Sequence, residues 1–297
     1  MKISIANFVL ITFLLFSCNS ASQQTADHTD ASEAKPFVVF VTGDHEYSSE
    51  ATMPLLAAEL EKHYGMRTVV LKAYPDQNAE ENIPGLEALK TADLAVFFLR
   101  WRRLPQEQIT YIDEYLKSGK PVMGFRTATH SFNYPEGDAL RSWNAFGERA
   151  LGAPPGWGGP AHHTHYGHES STDVTVIDTV ADHPILTGVD HNFHVRSWLY
   201  KVLPDYPAKG STWLLMGKSV NPNTPDAIEN PIAWTWTSAS GARTFMTTMG
   251  HPEDFDVEAV QKVVVNAVHW ALGKPAPKWA GKIEMNVPYR GMVETRK

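Results

Sequence analysis

Two uninterrupted apolar runs, Phe37-Val38-Val39-Phe40-Val41 and Leu94-Ala95-Val96-Phe97-Phe98-Leu99, constrain the fold of this chain most. A strand with one wet face alternates apolar and polar residues. A continuous run must therefore be covered on both faces, as in a parallel sheet flanked by helices. Between the runs, Met53, Leu56, Leu60 and Tyr64 fall on one helical stripe after Ser48 or Ser49, and Gly65 can end that helix. Thr68 to Leu71 gives a further strand. Pro105 opens a second helix through Leu116, with Gly119 as its stop, and Pro121 to Phe125 returns to the sheet. Further strands are expected at Asp173 to Ile177, Thr212 to Met216, Ile232 to Trp236 and Thr244 to Met249. A last helix spans Asp256 to Leu272. This alternation predicts an α/β fold built on a doubly wound, mostly parallel sheet with right-handed crossovers. Asn133 to His168 is rich in Gly, Pro and Trp and has no period, so it is expected to be a long functional loop.

The ends of the chain look different. Lys2 followed by the apolar stretch Ile3 to Phe16 is too short to span a bilayer and reads as an export signal over 1–17. Leu15-Phe16-Ser17-Cys18 is similar to a lipobox, although Phe16 stands where a small residue is usual, so plain secretion stays open beside lipidation at Cys18. Residues 18–36 are rich in Ser, Ala, Gln, Thr and Asp and are expected to be a flexible tether. The folded domain is expected over 37–274, followed by a Pro- and Lys-rich extension, 275–297, that wraps the surface. The resulting expectation is a protein of the periplasm or the outer membrane, held by lipid at Cys18 if the lipobox is used.

Cys18 is the only cysteine, so the folded domain has no disulfide, no thiolate metal ligand and no cysteine nucleophile. A formal charge of −7 offers no basic patch for nucleic acid. Most of the nine tryptophans are expected in the core, but a flat ring beside polar groups is also what a sugar-binding cleft uses, so a small-molecule carbohydrate is one partner the composition admits.

Ligands of open α/β sheets bind beyond the carboxyl ends of the strands. There the first run delivers Asp44, His45 and Glu46, Leu99 leads into Arg100, Trp101 and Arg102, Phe125 into Arg126 and His130, and Met249 into His251 and Glu253. The long loop carries His162, His163, His165 and His168, four of the chain's 13 histidines within seven residues. If that segment is extended, His163 and His165 share a face and can offer two imidazoles to a divalent metal such as zinc. A metal-free polar ligand site and loop histidines without a role are the other two readings. Arg126 can clamp a carbonyl oxygen or pair with Asp44 or Glu46. His130 is a candidate acid/base or a backbone-bonded loop histidine, and Glu253 a ligand contact or a helix lead-in with favourable dipole charge.

Several segments resemble, in order, the ThuA-like (trehalose utilisation) domain: Gly124-Phe125-Arg126-Thr127-Ala128-Thr129-His130, Asp182-His183-Pro184-Ile185, Trp198-Leu199-Tyr200, and Gly241-Ala242-Arg243 through Gly250-His251. The resemblance runs from about Phe37 to Lys274. It implies the class I glutamine amidotransferase-like fold, with flavodoxin-like layers, but not the amidotransferase reaction. The turn Gly124-Phe125-Arg126-Thr127 has no cysteine. Members of the family often carry His where Arg126 stands, and an acidic residue near the place of Arg196 and Ser197. The family is associated with breakdown of trehalose and related disaccharides beside their oxidation to keto derivatives. The resulting expectation is cleavage or isomerisation of a disaccharide, glycoside or keto-sugar. His165 and His251 would move protons, Arg126 would stabilise negative charge, and Asp44, His45, Glu46, Arg100, Trp101, Tyr200 and Glu253 would hold the substrate. A non-catalytic sugar-binding protein stacking its ligand on Trp101, Trp157 or Trp198, and a metal-dependent hydrolase of another substrate, are the alternatives.

Overall fold

A computed structural model of the protein describes residues 34–155 and 164–291. Cys18, Trp157, His162 and His163 lie outside the described residues. The elements belong to one unit, Lys35–Lys297. They are β1 (Phe37–Gly43), α1 (Ser49–His63), β2 (Arg67–Leu71), β3 (Leu94–Leu99), α2 (Gln106–Lys117) and β4 (Val122–Phe125), then α3 (Phe146–Leu151), β5 (Ser171–Val176), β6 (Asn192–Val195), β7 (Thr212–Val220), β8 (Asn230–Thr237), β9 (Arg243–Thr247) and α4 (Glu258–Ala271).

The nine strands form one sheet in the order β2-β1-β3-β4-β9-β8-β7-β5-β6. Strands β2, β1, β3, β4 and β9 pair in parallel. From β9 outward every pairing is antiparallel. Seven of the nine strands point one way, with β8 and β5 reversed. Every residue of β1 and β3 is buried, as the continuous apolar runs require. Both faces of the parallel half are covered. A Cβ on Gly124 of β4 would strike the Leu151 side chain of α3, whereas the next residue, Phe125, meets the Phe255 ring at 5.9 Å. The two edge strands, β2 and β6, are only partly buried.

Two elements depart from the sequence reading. The segment Asn133 to His168 holds a short helix, α3, preceded by a 3-10 turn at Arg141–Ala145. Its six residues bury Phe146, Gly147, Ala150 and Leu151, too short a stretch to establish a helical period. Strand β6 has four residues and only one buried side chain, so its alternation is equally faint.

The order of the parallel strands sets the position of the site. From β1 the chain passes outward to β2, then crosses over to β3 on the opposite side of β1. Connections leaving the C-ends of β1 and β3 therefore diverge and open a crevice between them, the topological switch point at which such sheets bind ligands.

Candidate active site

A cavity of about 240 Å³ occupies this crevice. Five parts of the chain supply its walls. After β1 come Glu46 and Tyr47, after β3 come Arg100 and Trp101, and after β4 comes His130. The remaining wall is His165 and His168 facing Trp198 and Tyr200. Of these residues, Glu46, Arg100, Trp101 and His130 follow strand ends as anticipated, His165 comes from the histidine-rich loop, and Tyr200 from the segment Trp198-Leu199-Tyr200.

Each wall is held by its own local chemistry. Asp44 is a turn-former: Oδ1 accepts the backbone N–H of Glu46 (2.8 Å) and of Tyr47, and Oδ2 that of Ser49 (2.8 Å). Asp44 thus builds the β1 loop, and Glu46 and Tyr47 reach the cavity from it. Across the crevice, Arg100 Nε lies 3.4 Å from the Glu46 carboxylate, and its guanidinium stacks over the Trp101 ring at 3.4 Å. Trp101 itself has φ 56°, a left-handed conformation that costs a bulky residue energy and that the surrounding contacts must enforce. Backbone pairing of Trp101 and Arg102 with the carbonyls of His130 and Ser131 supplies that constraint.

The histidine loop is fixed by an antiparallel bridge between His165 and Tyr200, flanked by Tyr166 N–H to Leu199 O and Lys201 N–H to Thr164 O. His165 Nδ1 accepts the Gly167 N–H at 3.0 Å, which leaves Nε2 as the protonated, donating nitrogen of a neutral ring. Burial, together with the nearby His168 and Arg126, pulls its pKa down to about 4. His168 is exposed, its ring 4.5 Å from that of His165 and 4.8 Å from Trp198. Burial also raises the Tyr47 phenol and pushes Tyr200 up to about 12, so both phenols stay protonated at neutral pH.

Five anticipated residues stand behind the walls. Arg126, at the turn after β4, is fully buried with φ 39°. Its Nη1 donates to the Thr248 carbonyl (2.8 Å) and the Trp198 carbonyl (3.3 Å). The rings of Tyr47, Trp198 and Tyr200 surround its guanidinium at 4.5–4.6 Å. Three desolvated cation–π contacts, each worth about 0.5–2 kcal/mol, make this cation the post on which the aromatic wall is mounted. Gly250 passes so close that a Cβ there would lie 2.8 Å from Arg126 Cβ. His251 caps the 3-10 turn Pro252–Asp256 by accepting the Glu253 N–H on Nδ1, and Tyr289 of the C-terminal segment stacks on its ring at 4.3 Å. Glu253 is exposed outside the cavity. Asp44 is engaged as described. His45 is buried against Arg102 and lies 3.5 Å from Glu80. Burial, reinforced by Arg102 and Arg100, drives His45 to about 3.

Sequence reasoning missed one positioning residue. Asp254, fully buried, accepts hydrogen bonds from the Ser197 N–H and hydroxyl and from the N–H groups of Gly250 and His251. It thereby ties the β9 loop to the segment that carries Trp198. Asp254 lies in the polar cluster after β9, but in sequence Pro252-Glu253-Asp254 reads equally well as a plain helix lead-in, so nothing distinguishes it from its neighbours. Among the described residues, no three His, Cys, Asp or Glu side chains are placed to share a metal ion.

Solved structures with this fold include a ThuA-like protein from Parabacteroides merdae, with a TM-score of 0.63 at 17% identity over 83% of this chain and 93% of that one. Another is a ThuA-like protein from Bacteroides uniformis, with a TM-score of 0.55 at 17% identity over 81% of this chain and 94% of that one. The chain matches no curated protein. A family match, described as trehalose utilisation, covers residues 37–271, most of the chain, and the protein therefore belongs to the ThuA family.

Proposed function

We propose that this protein is an enzyme of carbohydrate catabolism that cleaves or isomerises a disaccharide, glycoside or keto-sugar derivative in the β1–β3 cavity. The observation that carries this reading is the lining itself, a carboxylate and a neutral imidazole donor in one small chamber walled by Trp101 and Trp198. Indole faces accept the C–H faces of a sugar ring, while Glu46, Arg100, His130 and His165 offer hydrogen bonds to its oxygens. The family description, trehalose utilisation, points to the same substrate class.

The chemistry follows from the protonation states. A neutral imidazole polarises a carbonyl without first giving up a proton. With His165 Nε2–H and Arg100 directed at a sugar carbonyl, Glu46 takes the proton from the adjacent carbon and an enolate forms. Transfer of the adjacent hydroxyl's proton to the enolate oxygen by way of His165, with return of the carbon-bound proton from Glu46 to the former carbonyl carbon, completes an isomerisation. Expulsion of the glycosidic oxygen, protonated by His130, completes a cleavage. Arg126 acts in this scheme by holding Tyr47, Trp198 and Tyr200, and the oxyanion falls to Arg100 and His165.

By the same reading, the fold is the doubly wound, class I glutamine amidotransferase-like type. The strained Arg126 occupies the turn after β4 where those enzymes place their cysteine. Cys18 is a lipid attachment point that holds the enzyme in the periplasm or on the outer membrane. The test is proton NMR of the protein with disaccharides and their keto forms. New product signals that disappear in His165→Ala support the reading. Saturation transfer to the sugar without product would show a binding protein instead.

A further inference from the structure

We infer that the larger cleft beside the cavity is a second sugar subsite, which makes the substrate a molecule of at least two rings. The inference rests on the sugar reading of the inner cavity and adds to it where the remainder of the substrate lies. The cleft has a volume of about 630 Å³ and is formed by the segment 74–82 together with Trp101, Arg103 and Asn133. One residue, Trp101, belongs to the walls of both spaces.

Three observations favour a neutral polyhydroxyl ligand over an anion. First, the one cation among the described residues of the cleft is already paired: Arg103 lies 3.0 Å from Glu80 and 3.5 Å from Glu81. Asp76 is engaged with the Asn78 N–H at 2.9 Å. Second, the wall retains hydrogen-bonding capacity in neutral groups. Asn78 Oδ1 and the Trp101 indole N–H are both shielded and have no protein partner. Shielded amide and indole groups are normally satisfied, so two of them on one wall indicate a ligand that supplies the missing donor and acceptor. A sugar hydroxyl does both. Third, Tyr74 on the lining is 61% exposed, which leaves a flat ring able to stack on a sugar. Its backbone is fixed by the Tyr74 N–H to Asn82 O bond of 3.0 Å, so the ring is presented from an anchored turn.

The geometry accounts for the unusual conformation of Trp101. A left-handed tryptophan between a small chamber and a larger cleft can serve both, and the Arg100 guanidinium stacked on it fixes the plane of the ring. The reacting ring occupies the inner chamber and the ring beyond the scissile bond the outer cleft.

The test compares trehalose and cellobiose with glucose as ligands of the wild-type protein and of Tyr74→Ala, read by titration calorimetry and saturation-transfer NMR. Tyr74 is exposed, so its removal leaves the fold intact, and Asn78→Ala serves as the second variant. Wild-type protein is expected to bind at least one disaccharide about tenfold or more tightly than glucose, consistent with one added stacked ring. Each variant should erase most of that advantage and leave glucose binding within twofold. Equal binding of disaccharide and glucose, an equal loss for both in the variants, or no binding of any of the three sugars would overturn the inference. The two readings fail separately. A two-ring preference without turnover retains the subsite and removes the enzyme. Turnover with KM unaffected by Tyr74→Ala and Asn78→Ala retains the enzyme and removes the subsite.

Discussion

Glu46 and Arg100 bridge the crevice: they come from the loops after β1 and β3, and Arg100 Nε stands 3.4 Å from the Glu46 carboxylate with both side chains buried. The contact links the two halves of the switch point and holds the carboxylate at the cavity wall. Replacing the carboxylate by an amide keeps the shape and removes the base. Glu46→Gln is expected to lower turnover at least ~100-fold, the usual effect of losing a general base, while the near-ultraviolet circular dichroism of the tryptophans stays unchanged. Steady-state rates on a keto-disaccharide check this.

Arg126 is expected to matter for stability more than for contact with ligand. Its removal leaves the carbonyls of Thr248 and Trp198 without their donor and three aromatic rings without the cation between them. Arg126→Ala should cost about 3 kcal/mol in urea unfolding. Arg126→Lys should recover only part of this, since an ammonium lacks the planar face that the three rings surround while Nη1 reaches both carbonyls. Unfolding midpoints of the two variants decide it.

His251 gives a sharper comparison. Its Nδ1 caps the turn after β9 by accepting the Glu253 N–H. Asn at a cap position accepts the same bond, whereas Ala cannot. His251→Ala should therefore destabilise the protein by about 1 kcal/mol or more, and His251→Asn by clearly less. If turnover falls equally in both while stability is retained, His251 has a chemical role that its place behind the wall does not explain.

His45 and His251 also set a pH dependence. Burial brings both down to about 3 in the folded protein, while the unfolded chain protonates them near the ordinary value of 6.5. Between these limits the unfolded state binds more protons, so stability rises with pH. The contribution is complete above about pH 6.5 and is lost progressively as the pH falls towards 3. Urea denaturation from pH 7.5 to 4 should show a steady loss, with a shallower slope in His251→Asn. Stability that is flat across this range would contradict the burial of neutral imidazoles.

The parallel half of the fold was legible because β1 and β3 are continuous apolar runs, a pattern that only a doubly covered strand explains. α3 and β6 are too short to carry a period, so only long-range contacts define them. The loops that build the site were legible from strand ends, but the direction of each side chain was not. Glu46 reaches the cavity while Asp44, two residues earlier, turns back to bind the N–H groups that make the loop. Arg126 and His251 occupy the expected ends of β4 and β9, yet aromatic rings stand between them and the cavity or close over them. Tyr47 escaped notice because an aromatic residue that walls a chamber has the same composition signal as one in the core. Tyr200 was found only through the Trp-Leu-Tyr segment.

The central claim is that Glu46 removes a proton beside a sugar carbonyl held by His165 and Arg100. The most direct measurement is proton NMR of a keto-disaccharide with the protein in deuterium oxide. The account predicts that the signal of the proton next to the carbonyl is lost with wild-type protein, through exchange or product formation, and persists with Glu46→Gln. Glycosidic cleavage in which that proton stays in place, or its loss at equal rates with both proteins, would contradict it.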